Sequence, residues 1–203
     1  MNTPIDVLVV GVNVACWGAI VVVWMAAWIR DRTSTTASIR RSTDVVMAPL
    51  AAVAVAAIVL VGPRVLAPLT VDAAWIRLIG GVVLLASTTF AIRARLTLGR
   101  AWSVGPQAST ALGLRTDGPY AITRHPIYTG LLGMMVGTAL TGGLGQWLTL
   151  LAAGLVVAAF KIRSEERLLL ATFPEAYRAY RGRVPMLIPR WPSPSAGGRH
   201  LFR

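Results

Sequence analysis

Residues able to do polar chemistry are concentrated in two short stretches of this 203-residue chain. The first, GPYAITRHPIYTG from Gly118 to Gly130, carries Tyr120, Arg124, His125, Pro126 and Tyr128. The second, KIRSEERLLLATFPEAYRAYRGRVPMLIP from Lys161 to Pro189, carries the adjacent carboxylates Glu165 and Glu166 among Lys161, Arg163 and Arg183. Carboxylates and aromatic faces suit a cation, and arginines suit a carboxylate or phosphate. His125 is the histidine placed to serve as a general base, should the nucleophile need one. No metal site is expected: His125 and His200 lie far apart, and the single cysteine, Cys16, is embedded in an apolar run. Neither a Gly-x-Ser-x-Gly turn nor a strand leading into Gly-x-Gly-x-x-Gly is found, so hydrolysis and Rossmann-type nucleotide binding lack support.

Each of these residues also has a plainer reading. His125 could be an interfacial histidine bonded to backbone, and the tyrosines interface aromatics. Glu165 and Glu166 could open a solvated segment, with Glu166 paired locally to Arg163. A carboxylate near the lipid boundary is costly, however, unless it is paired or used. Pro126 disfavours helical geometry at His125 and starts a helix at itself. The first turn of that helix offers free N–H groups and a positive dipole end.

The elements that hold the two stretches are read from hydropathy. Hydrophobic residues make up 55% of the chain and charged ones 14%, about half the charge of an ordinary soluble domain. Val7 to Ile29 has no charge, nor do Val45 to Val61, Leu78 to Ile92 and the 34 residues from Ile127 to Phe160. As one helix the last run would reach about 50 Å, too long for a single crossing. Its middle, TGGLG from Thr141 to Gly145, breaks helices. The expectation is therefore an all-α integral membrane protein of five transmembrane helices, the last two forming a hairpin. Gly133 and Gly137, spaced Gly-x-x-x-Gly, read as a close helix-packing face.

Basic residues set the orientation. With five spans, eighteen of the twenty Lys and Arg fall on one side and only Arg64 and Arg77 on the other, so the N-terminus is expected outside and the C-terminus in the cytoplasm. The net charge of +12 then speaks for membrane lipid headgroups, not for nucleic acid, since no separate aromatic-basic module exists. The hairpin brings His125, entering span four, and Glu165, leaving span five, to the same cytoplasmic face. Three regions follow: 1–97, a three-span membrane part; 98–189, the core that includes the hairpin; and 190–203, a tail rich in Pro, Ser and Gly.

In this order the residues resemble the isoprenylcysteine carboxyl methyltransferase family and the related phospholipid N-methyltransferases. The resemblance rests on Gly118, Tyr120, Arg124, His125, Pro126, Tyr128 and Gly130, then Glu165 and Glu166 after the hairpin. Phe173, Tyr177, Tyr180, Arg183, Val184 and Pro185 follow as a tail, with LGRAWS upstream. It covers Leu98 to Pro189. It implies a membrane enzyme that uses S-adenosylmethionine, bound in a cytoplasmic C-terminal region. By position, Tyr120, His125, Pro126, Ile127, Tyr128 and Glu165 would contact the cofactor. Glu165 and Arg183 would be catalytic, and Lys161 and Arg163 would meet the substrate. Lys161 stands where eukaryotic relatives carry an arginine, which keeps the charge and loses the bidentate fork.

The implied reaction is methylation of a lipophilic small molecule or lipid-modified acceptor. Carboxyl O-methylation of an isoprenylcysteine-like or other apolar acid comes first. Phospholipid N-methylation, thiol S-methylation and a non-catalytic membrane scaffold are the alternatives. The Ala, Arg and Gly bias points to a bacterial inner membrane.

Overall fold

The computed structural model describes residues 4–31, 56, 60, 62, 64–71, 73–99 and 113–189. Its main helices are α1 (Pro4–Asp31), α2 (Ala74–Leu98), α3 (Pro126–Thr141), α4 (Leu148–Thr172) and α5 (Pro174–Arg183), with 3-10 turns at Ala67–Leu69, Gly118–Ala121 and Gly145–Trp147. Three helical segments, Pro4–Ala27, Ala74–Leu98 and Gly145–Thr172, are long and apolar enough to cross a membrane, and α3 is a shorter apolar helix. Val7, Val14, Val22, Trp75 and Val82 are left exposed. Such a surface suits lipid, and the chain is an integral membrane protein. The expected second span, Val45–Val61, lies outside the described residues except for Ala56 and Leu60, both helical. LGRAWS beyond Gly99 and the tail 190–203 also lie outside them.

Helices α1 and α2 run parallel. Near their N-terminal ends Arg77 Nη1 meets Asp6 Oδ1 at 2.6 Å, an ion pair that ties the two helices together. Helix α3 returns antiparallel, and its contact with α2 is made by small residues. A side chain on Gly137 would come within 2.7 Å of the Leu84 backbone nitrogen, and one on Gly130 within 2.9 Å of that of Ala91. With no Cβ in the way the two backbones approach directly, the packing that the glycine spacing predicts. Cys16, Ile20, Leu84, Ala91 and Met134 close the core between α1, α2 and α3.

Polar residues of α1 and α3 satisfy one another. Asn13 Nδ2 donates to Thr141 Oγ1 at 3.0 Å and Thr138 Oγ1 donates to Asn13 Oδ1 at 3.0 Å. Trp17 Nε1 donates to Thr138 Oγ1 at 3.1 Å. Left unpaired in hydrocarbon, each group would cost several kcal/mol, so the network fixes how α1 docks on α3.

The hairpin turn falls where the sequence places it. Gly143 and Gly145 adopt φ of +83° and +47°, and Leu144 between them +62°. That left-handed strain at Leu144 is offset by its N–H donating to Ala139 O at 2.6 Å and by an isolated antiparallel bridge with Thr70. Val71 N–H donates to Gly143 O at 2.9 Å. The turn is thereby tied to the segment that precedes α2, at the end of the molecule that carries Asp6.

Candidate functional site

At the opposite end, the loop before α3 and the C-terminal half of α4 meet. His125 and Phe173 each precede a proline and each caps the next helix, with nearly the same backbone angles: φ −122°, ψ 60° and φ −131°, ψ 65°. The proline forces the residue before it out of the helical region and then starts the helix. One such break aims His125 inward at the start of α3. The other turns α5 back over α4, bringing Tyr177 and Tyr180, both buried, onto the loop. Tyr180 Oη donates to Tyr120 O at 2.7 Å.

A strap at Pro185–Leu187 fixes the loop through backbone. Arg124 N–H donates to Pro185 O at 2.8 Å, and His125 N–H to Met186 O at 3.1 Å. Thr123 Oγ1 donates to Met186 O and Thr129 Oγ1 to Leu187 O, both at 2.7 Å. On the other side, Arg115 Nε and Nη2 donate to Thr97 O at 3.1 and 3.0 Å, joining the loop to the end of α2.

Into this frame α4 presents both carboxylates. Tyr128 Oη donates to Glu165 Oε1 at 2.7 Å, and Glu165 Oε2 stands 3.8 Å from His125 Nδ1. Glu166 Oε1 lies 3.4 Å from His125 Nε2 and 3.1 Å from Arg124 Nη2. Arg124 Nη1 also donates to Arg181 O of α5 at 3.2 Å. The local pairing of Glu166 with Arg163 read from sequence is corrected here: Arg163 is exposed, whereas the Arg124 side chain is 8% exposed. A partly desolvated pair interacts more strongly than one in water.

Burial pushes the His125 pKa below its ordinary value; the Glu166 hydrogen bond and charge oppose this, and Arg124 adds to it. His125 is thus held toward its neutral form. Burial raises the phenols of Tyr120, Tyr177 and Tyr180, with Glu165 adding to the effect at Tyr120 and Glu166 at Tyr177. All three are hydroxyls at neutral pH. Tyr177 Oη and Arg124 Nε are buried without a hydrogen-bond partner among the described residues.

Of the residues singled out from sequence, Tyr120, His125, Pro126 and Ile127 are buried, and Tyr128 and Glu165 are half-buried beside them. Lys161, Arg163 and Arg183 are exposed. Arg183 Nε turns back to Ala179 O at 3.3 Å, and the structure does not bring it into the His125 cluster. Sequence reasoning passed over Arg95, counted there only as a flanking charge. It is 2% exposed, donates to Gly99 O at 3.0 Å, and its charge acts on Tyr120. Its signal was position: an arginine one turn inside a helix end, within reach of apolar packing.

A family model described as phospholipid methyltransferase matches residues 75–176, which include α2, α3, α4 and both carboxylates. Among curated proteins, the chain is 36% identical to the cobalt-zinc-cadmium resistance protein CzcN of Cupriavidus metallidurans, over 46% of this chain and 44% of that one. It is 39% identical to the protein-S-isoprenylcysteine O-methyltransferase of Schizosaccharomyces pombe, over 39% of this chain and 34% of that one. A methanethiol S-methyltransferase of Bradyrhizobium diazoefficiens is 42% identical over 37% of this chain and 29% of its own. The chain thus spans less than half the length of these relatives. The solved structure of the eukaryotic intramembrane Ras methyltransferase ICMT superposes with a TM-score of 0.61 at 21% identity, covering 93% of this chain and 69% of that one; the likeness is one of fold.

Proposed function

The chain belongs to the phospholipid methyltransferase family, and we propose that it is a membrane-embedded, S-adenosylmethionine-dependent methyltransferase acting on a lipophilic acceptor. The observation that carries this reading is the convergence of Tyr128, Glu165 and His125 at one end of the α3–α4 hairpin. The donor set fits the cofactor: a carboxylate and two aromatic rings, His125 and Tyr128 with centroids 6.0 Å apart, favour a sulfonium and an ammonium. Tyr120, His125, Pro126, Ile127, Tyr128 and Glu165 would hold it. When bound, S-adenosylmethionine supplies an electrophilic methyl group on a sulfonium.

The protein's own contribution is position and dryness. Methyl transfer is an in-line displacement that depends on the approach of the nucleophile more than on acid-base assistance. Glu165, fixed by the Tyr128 hydroxyl, sets the charge of the pocket, and buried Tyr120 and Ile127 keep water from it. A carboxylate or thiolate acceptor needs no general base. An amine or a protonated thiol needs one, and neutral His125 has one acceptor nitrogen for that task where the cofactor does not engage it. Lys161, Arg163 and Arg183 are exposed cations that would draw in an anionic acceptor, a role more in keeping with the exposure of Arg183 than contact with the reacting atoms.

The proposal places five spans in a bacterial inner membrane, with the N-terminus outside and this site at the cytoplasmic face of the 98–189 core. Carboxyl O-methylation of an apolar acid is the first acceptor chemistry, supported by the isoprenylcysteine relative. Thiol S-methylation is the second, favoured by the methanethiol relative. The test is binding and turnover of methyl-labelled S-adenosylmethionine by the detergent-purified protein, screened against apolar acids, thiols, amines and lipid extracts. Label transfer to an acid supports the first chemistry and transfer to a thiol the second. Failure to bind the donor at all would reject the methyltransferase reading.

A further inference from the structure

His125 stands between two carboxylates with different geometry toward each, and the difference has a chemical meaning. Nε2 is within hydrogen-bond distance of Glu166 Oε1, whereas Nδ1 faces Glu165 Oε2 at 3.8 Å, beyond it. A neutral imidazole carries one proton, and its position follows the better acceptor. We propose that Glu166 is a positioning residue that fixes His125 as the Nε2–H tautomer, turning the Nδ1 lone pair toward Glu165 so that the two acceptors form a jaw for a cationic N–H donor. This rests on the methyltransferase reading only for the identity of that donor, the ammonium group of the cofactor.

Glu166 is equipped for the task. Its Oε1 also meets Arg124 Nη2 at 3.1 Å, and Arg124 in turn donates to Arg181 O. Arg124 and His125 thus share one oxygen of the carboxylate, whose charge is compensated where burial would otherwise make it costly. The backbone that carries the ring is fixed, because His125 N–H is bonded to Met186 O and His125 O accepts from Thr129 N–H at 3.0 Å, and the ring itself is confined by burial, its side chain 4% exposed. The groups facing the imidazole are Glu165 and Glu166 from α4, Arg124 from its own loop and Tyr128 from α3. Tyr128 already donates to Glu165 Oε1, so the phenol does not compete for Nδ1. A donor placed between Nδ1 and Glu165 Oε2 would hydrogen-bond to both, and an ammonium has three N–H groups to offer.

The chain has two histidines, so a His200→Ala background leaves one imidazole to observe. Long-range proton–nitrogen correlation spectra of the protein in detergent report its tautomer directly, without any substrate. At about pH 7.5, where an ordinary histidine is neutral, His125 should show a protonated Nε2 and a bare Nδ1. Glu166→Ala should lose that preference and give mixed tautomers, and Glu166→Gln, which keeps an acceptor oxygen, should restore it. Titration of S-adenosylhomocysteine should weaken about tenfold in Glu166→Ala, the scale of a lost hydrogen bond to a charged group. It should weaken much less for an analogue lacking the amino group. An Nδ1–H tautomer or an imidazolium in the parent, or an unchanged tautomer in Glu166→Ala, overturns the positioning role. An Nε2–H tautomer that depends on Glu166 in a protein that binds neither nucleoside upholds the positioning and overturns the methyltransferase reading alone.

Discussion

Tyr128 donates its hydroxyl to Glu165 across the space between α3 and α4, at 2.7 Å. This bond links the two arms of the hairpin at the end where the cofactor is proposed to sit. Tyr128→Phe removes it while keeping the ring. A hydrogen bond to a charged group contributes about 1.5–3 kcal/mol, so the affinity for S-adenosylhomocysteine should fall roughly 10- to 100-fold. Calorimetric titration in detergent would measure this; an unchanged affinity would show that the Glu165 orientation does not matter to the ligand.

The lowered pKa of His125 makes stability depend on pH in a definite direction. The unfolded chain takes up a proton near pH 6.5, while the folded protein, with His125 buried, resists doing so until the pH is lower. Between those two points the unfolded state binds more protons, so stability is complete above about pH 6.5 and declines as the pH falls below it. Thermal unfolding of the parent and of His125→Asn, followed from pH 8 to pH 5, should give midpoints that converge on acidification. Parallel profiles would contradict the assignment.

The glycine contact between α2 and α3 predicts a steep response to bulk. A leucine at Gly130 would drive into the Ala91 backbone, which a side chain there would meet within 2.9 Å. Overpacking of this kind costs about 1–3 kcal/mol or more. Gly130→Leu should lower the unfolding midpoint in detergent well below that of Gly182→Leu, where an added Cβ meets nothing within 4 Å. Equal midpoints would mean that the helices are not packed at this distance.

The exposed cations should act through long-range attraction. Lys161→Ala with Arg163→Ala should raise KM for an anionic acceptor several-fold, leave kcat within about twofold, and lose its effect as the salt approaches 1 M, where charges are screened beyond about 3 Å. A fall in kcat that persists at high salt would instead assign these residues contact with the reacting groups.

Much of the frame could be read from the chain because it follows from local rules. Pro126 and the Gly142–Gly143 pair set the bounds of α3 at Pro126–Thr141, and apolar runs set α1 and α2. The pairings were less legible. Local spacing offers Arg163 to Glu166, yet the partner is Arg124, forty-two positions away, because only the folded loop withdraws that arginine from water. Asp6 and Arg77 show no relation until α1 and α2 lie parallel. Asn13, Trp17, Thr138 and Thr141 pass as minor polar interruptions of apolar spans, although they form one network. The strap at Pro185–Leu187 works through carbonyl oxygens, which every residue has and no side chain advertises.

The α2–α3 contact is backbone against backbone, whereas α3 and α4 meet through side chains, Met135 over Gly154 and Tyr128 on Glu165. Helices α2 and α3 thus form a stiff beam, and α4 is joined to it through the Gly142–Gly145 turn. His125 and Tyr128 ride with the beam; Glu165 and Glu166 ride with α4. The site therefore needs the two bodies in register, and a substitution that shifts α4 against α3 would part the carboxylates from the imidazole without unfolding a single helix.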